Sequence, residues 1–145
     1  DVESFAIDNY SEKEISPFRD EVEVEEYEDP KKIFWAGLQE KQYFCAKTIQ
    51  DLTPRDLHKQ PNVIFYDADH DPQAQYDNLT FLIPALADKF ILVVDDANFM
   101  GVVQSSEFWI KEHKLNLLFE RKILTKVPED PNGWWNGIHV MVLQK

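Results

Sequence analysis

The sequence predicts an α/β domain in which helices cover both faces of a mostly parallel sheet. Three observations carry that expectation. Short apolar runs alternate with helically spaced segments along most of the chain. One of these runs, in "KFILVVDD" (89–96), is continuously apolar, the pattern of a strand buried on both faces. The last two apolar runs are joined by a turn-rich loop instead of a helix. They therefore form a hairpin, which puts an antiparallel strand near one edge of the sheet.

The elements follow in order. "SFAID" (4–8) is a strand ending at Asp8. Residues 11–29 are charged and poor in core residues, so they form a loop with one helical turn. "DPKKIFWAGLQE" (29–40) is a helix, with Asp29 as N-cap, Pro30 at the first helical position, and Ile33, Phe34 and Leu38 at helical spacing. "QYFCAKTIQ" (42–50) and "NVIFYDAD" (62–69) are strands separated by a connection. Residues 72–88 form a helix with Tyr76, Leu79, Ile83 and Leu86 on one face, and Pro84 must kink or end it. Strand 89–96 follows, then a helix over 98–114 with Val102, Val103, Phe108 and Ile110 as its apolar positions. Strand 115–124, a turn-rich connection over 125–137 and strand 138–144 complete the chain.

With 145 residues, 43% of them hydrophobic, the chain is long enough for one domain, 1–145, with a real core. Its net charge of −12 opposes a nucleic-acid partner and an anionic membrane surface, both of which need clustered Lys and Arg. No apolar segment approaches the length of a membrane span. Cys45 is the one cysteine, so no disulfide framework exists within the chain, and a cytoplasmic location is the expectation. Cys45 itself reads as a small buried residue.

Ligands of open α/β sheets bind beyond the carboxyl ends of the strands. Three strand ends here deliver acids to that rim: Asp8, the cluster Asp67, Asp69, His70 and Asp71, and the pair Asp95–Asp96. Each has a structural reading beside the functional one. Asp95 and Asp96 suit capping of the next helix, Asp69 suits a turn before Pro72, and His70 suits a hydrogen-bonded loop. Trp134 and Trp135 either line a substrate pocket or cover the core edge, and the second reading is preferred. His58, His113 and His139 show no zinc-ligand spacing.

With those residues in place, the chain resembles the class I S-adenosylmethionine-dependent methyltransferases, a Rossmann-like fold, from their second strand to their seventh. In that family the acid ending the second strand binds the cofactor ribose, which falls on Asp8 in "FAIDNY". The position after the third strand offers Lys47 and Thr48. "FYDADH" and "VVDDANF" resemble the metal-dependent macrocin and catechol O-methyltransferase branch. The resemblance implies Asp67, Asp95 and Asp96 as ligands of a divalent cation, and such oxygen donors suit Mg²⁺. It implies Asp69 as general base with His70 as its competitor, and Asp8, Thr48 and Asp67 at the cofactor. The activity implied is methyl transfer to a hydroxyl of a small molecule. "DPNGWWNGIHV" also resembles the tails of such enzymes in bacteria and phages.

One departure stands beside these matches. The family's first strand and Gly-rich loop would precede Asp1, and the four glycines, at 37, 101, 133 and 137, make no such loop. The expectation is therefore an N-terminally truncated sequence lacking the first strand, with a homodimer closing the gap in the sheet as an accompaniment. Direct pairing of the second strand with the fourth is the other way to close it. The rival functional reading is a non-enzymatic remnant unable to bind the cofactor. A receiver-like or phosphatase-like domain ranks last, since Lys122 lies inside its strand and not at the exit.

Overall fold

The computed structural model describes residues 4–7, 42–45, 49–52, 60–126 and 134–145. The chain divides into two compact units, Asp1–Asp56 and Leu57–Lys145. In the first, β1 (Ser4–Ile7) pairs in parallel with β2 (Gln42–Cys45), with Ser4 opposite Gln42 and Ile7 opposite Cys45. Ile49–Asp51 is a 3-10 turn, where the sequence had predicted strand to residue 50. The loop expected over 11–29, the helix over 29–40, and Asp8, Lys47 and Thr48 lie outside the described residues.

The second unit runs β3 (Val63–Tyr66), α1 (Pro72–Leu82), β4 (Lys89–Asp95), α2 (Met100–Glu112), β5 (Asn116–Ile123) and β6 (Ile138–Gln144). Its sheet order is β3-β4-β6-β5. β3 and β4 are parallel, whereas β6 runs antiparallel to both β4 and β5. Three of the four strands thus point the same way, and the return strand of the C-terminal hairpin supplies the antiparallel one. The α/β class with an antiparallel hairpin strand is as the sequence predicted. β6 takes the inner position because His139, Met141 and Leu143 alternate along one face, each 0% exposed. β5 takes the edge and is exposed along most of its length, with Leu117, Leu118 and Phe119 followed by the charged Glu120, Arg121 and Lys122.

α1 starts where Asp71 caps it. The Asp71 carboxylate accepts from the backbone N–H groups of Gln73 and Ala74 at 3.0 and 2.9 Å, and Pro72 occupies the first turn. The helix ends before Pro84, in the 3-10 turn Ile83–Ala85. Its buried face is Gln75, Asn78, Leu79 and Leu82, rotated from the expected set built on Tyr76 and Ile83. Two polar residues can sit on that face because they are bonded there. Gln75 Nε2 donates to Ser106 Oγ at 2.7 Å and to the Val102 carbonyl at 3.1 Å, and Asn78 Nδ2 donates to the Tyr66 hydroxyl at 3.1 Å. On α2 the buried face is Val102, Ser105, Ser106 and Trp109, while Phe108 is exposed. Trp109 meets Phe90 of β4 edge-on, with ring centroids 6.5 Å apart.

β4 departs from the expectation of a strand buried on both faces. Phe90, Leu92 and Val94 are buried, whereas Lys89 and Ile91 are exposed. The cause is the placement of the helices: α1 and α2 pack on each other and on the same face of the sheet. Among the described residues no helix covers the other face, where Val63, Phe65 and Ile91 stand exposed.

Candidate functional site

β3 and β4 are parallel neighbours, with Tyr66 opposite Val94, so their carboxyl ends open side by side. The loop after β3 carries Asp67 to Asp71, and the loop after β4 carries Asp96 to Phe99. The sheet therefore places the two acidic stretches on one rim.

Hydrogen bonding sorts the acids of this rim. Asp71 is spent on capping α1. Asp69 Oδ1 accepts the Asp71 backbone N–H at 2.8 Å and ties the turn. That is the turn role considered for Asp69, and it leaves the other carboxylate oxygen outside this bond. Asp95 and Asp96 do not cap α2, whose N-cap is Phe99 with no side-chain cap bond.

What the fold brings together is Asp67, His70 and Asp96. One ligand atom from each lies within 4.8 Å of the others, a spacing that could hold a metal ion. His70 Nε2 contacts the Asp96 carboxylate directly. Asp95, expected beside Asp96 as a ligand, belongs to the end of β4 and is not in this group. It stays close enough to act on charge. Burial first, then the negative charges of Asp95 and Asp96, push the Asp67 pKa above the usual carboxylate value, and His70 opposes them.

Asp96 is only 6% exposed and has φ 59°, in the left-handed region. Asp is among the few non-glycine residues that occupy it readily. The chain turns sharply there, and the Phe99 N–H returns to the Asp96 carbonyl at 2.9 Å. The loop is then stitched to its neighbours. Ala97 N–H donates to the Gly137 carbonyl at 3.1 Å, and Asn98 N–H to the Asn136 carbonyl at 2.7 Å. The Asn98 carboxamide donates to Thr125 Oγ1 at 2.7 Å and accepts the Thr125 N–H at 3.1 Å, and Thr125 Oγ1 donates to the Trp135 carbonyl at 3.0 Å.

Asn98 and Thr125 carry no motif that marks them in the sequence. The readable sign was Gly137 in "NGWWNG", since glycine in a turn marks positive φ, here 82°. Trp134 and Trp135 are 52% and 53% exposed, so they do not cover the core edge. Phe99, 51% exposed, lies beside His70 with ring centroids 6.2 Å apart. The rim is thus acidic, with the Phe99 ring beside His70.

The donor set departs from what Mg²⁺ favours. Mg²⁺ takes oxygen ligands in a near-ideal octahedron, and an imidazole nitrogen is a poor member of that set. Two carboxylates and an imidazole suit a borderline divalent ion better.

No family model matches the chain, and no curated protein matches it. Among solved structures, an rRNA methylase from Streptococcus thermophilus is similar over 100% of this chain and 88% of its own, at 11% identity and a TM-score of 0.46. Identity and score of that size leave the activity to be argued from the site itself. Among the described residues, no helix is long and apolar enough to cross a membrane.

Proposed function

We propose that this chain belongs to an S-adenosylmethionine-dependent methyltransferase that methylates a hydroxyl of a small molecule, with a divalent cation at the rim. The observation that carries the proposal is the convergence of Asp67, His70 and Asp96 from two neighbouring strand ends. The resemblance of "FYDADH" and "VVDDANF" to metal-dependent O-methyltransferases supports it from the sequence side. Asp96 does not cap α2, so capping does not explain its carboxylate.

In this reading Asp67 and Asp96 supply the negative charge and His70 the third donor. A cation there would lower the pKa of an acceptor hydroxyl and fix its position. Asp69 is the base, through the carboxylate oxygen that the turn does not use. The family resemblance would assign Asp8 and Thr48, which lie outside the described residues, to the cofactor. The net charge of −12 favours a neutral or cationic small acceptor and opposes RNA.

A second reading, a relative of the fold that no longer binds the cofactor, is favoured by one observation. Gly101 packs against the Pro72 ring, where a Cβ would lie 3.0 Å from Pro72 Cγ, and Gly137 makes a turn, so neither builds a cofactor loop. Calorimetric titration with S-adenosylmethionine, with and without divalent cation, separates the two. Sub-millimolar binding supports the enzyme, and no binding at saturating cation overturns it in favour of the second reading.

A further inference from the structure

β5 is the last strand of its sheet, and among the described residues no strand pairs with its outer edge. Its residues are exposed from Asn116 to Lys122. Such an edge offers a row of backbone donors and acceptors to another strand. The ladder to β6 shifts register between Leu117 and Phe119, so its regular stretch is Phe119–Ile123. That stretch, "FERKI", is complementary to itself. Laid antiparallel on its own copy about Arg121, it sets Phe119 against the partner's Ile123 and Glu120 against the partner's Lys122, and the reverse.

The faces agree with that register. Glu120 and Lys122 stand opposite Met141 and His139, on the face that carries the helices, and Lys122 bonds Glu107 of α2 there at 2.5 Å. Phe119 and Ile123 stand opposite Val142 and Ile138, on the face that no described helix covers. Every opposed pair therefore points to one side of the sheet. Glu120 and Lys122 already bridge at 3.3 Å within the chain, and the two-fold would extend them into a row of alternating sign. The one unfavourable contact is Arg121 against its own copy at the axis. Charges on an edge oppose pairing with strands of other sequence, but this sign order admits its own copy.

We propose that β5 is a homodimer interface, at which two copies of the chain join their sheets by antiparallel β5–β5 pairing centred on Arg121. The proposal is independent of the methyl-transfer reading. It uses the edge of the sheet opposite β3, whereas a dimer closing the missing-strand gap would use the β3 edge.

The test is sedimentation equilibrium of the full chain over a range of concentrations. The expected result is a reversible monomer–dimer equilibrium. Lys122→Glu and Glu120→Lys should each abolish the dimer, because each sets like charges against one another. Mixing the two variants should restore it, because each then supplies the charge that the other lacks, and that recovery also shows both to be folded. Arg121→Gln should tighten the dimer by roughly two- to fivefold, since it removes the like-charge contact at the axis. Arg121→Cys should give a covalent dimer on oxidation, and the unchanged chain should not, because residues opposed in an antiparallel pair lie within disulfide reach. A chain that stays monomeric at its highest soluble concentration overturns the proposal. So does a dimer that survives both charge reversals, or one that Arg121→Gln leaves unchanged and Arg121→Cys does not cross-link.

Discussion

His139 Nε2 and Glu120 Oε1 are 2.8 Å apart across β5 and β6, and the other ring nitrogen of this fully buried histidine has no partner among the described residues. The bond to a carboxylate fixes Nε2 as the protonated nitrogen of a neutral ring. A second proton on Nδ1 would be a buried donor that no described residue accepts.

Acid should therefore weaken the fold through His139. Burial lowers its pKa below the usual 6.5, against the pull of Glu120 and with Lys122 adding to the lowering. A base with a depressed folded pKa binds fewer protons folded than unfolded. Stability is then full above about pH 6.5 and declines as pH falls towards the folded pKa. Glu120 is held below its usual 4.5, first by His139 and then by Lys122, so its contribution is lost only at lower pH. Urea midpoints at several pH values check this: His139→Gln should flatten the decline below pH 6.5, and parallel curves for the two proteins would refute it.

Asp67→Asn should stabilise the cation-free chain at pH 7 and weaken cation binding. The Asp67 pKa is raised, so its folded form favours the proton. Its stability contribution is present below 3.8 and is lost as pH rises through the folded value. Asparagine removes that loss, and solvent screening of so exposed a side chain keeps the gain to about 0.5 kcal/mol or less. Denaturation with chelator and with excess Mn²⁺ should give opposite orders for the two proteins. An Asp67→Asn chain less stable under both conditions would show the carboxylate to be structural.

Gly137→Ala should damage both fold and site. The residue has φ 82°, and an added Cβ would stand 2.7 Å from Asn98 Oδ1 and 2.8 Å from the Ile123 carbonyl. The strain alone costs about 1 kcal/mol, and the clash adds to it. Because Asn98 braces the loop that carries Asp96, cation affinity should fall as well. A variant with unchanged urea midpoint would contradict this account of the turn.

Asp71→Ala should cost about 1 kcal/mol, the usual loss when two N-terminal amides of a helix lose their cap. Asp71→Asn should recover most of it. Equal losses for alanine and asparagine would mean that the carboxylate does something other than cap.

The alternation of apolar runs and helical spacings determined the α/β class, the elements of the second unit and the hairpin that supplies the antiparallel strand. "FYDADH" and "LVVDDANF" likewise announced two acidic strand ends, because carboxylates after apolar strands are visible without coordinates. Which of those acids meet was decided by tertiary structure. Side-chain partners depend on register and on turn geometry, and neither is local to a motif: Asp71 and Asp69 went to the cap and the turn, while the left-handed Asp96 turned in to His70 and Asp67. The same holds for burial. A continuous apolar run states that β4 can be covered on both faces, but only the packing of α1 on α2 decided that those two helices share one face.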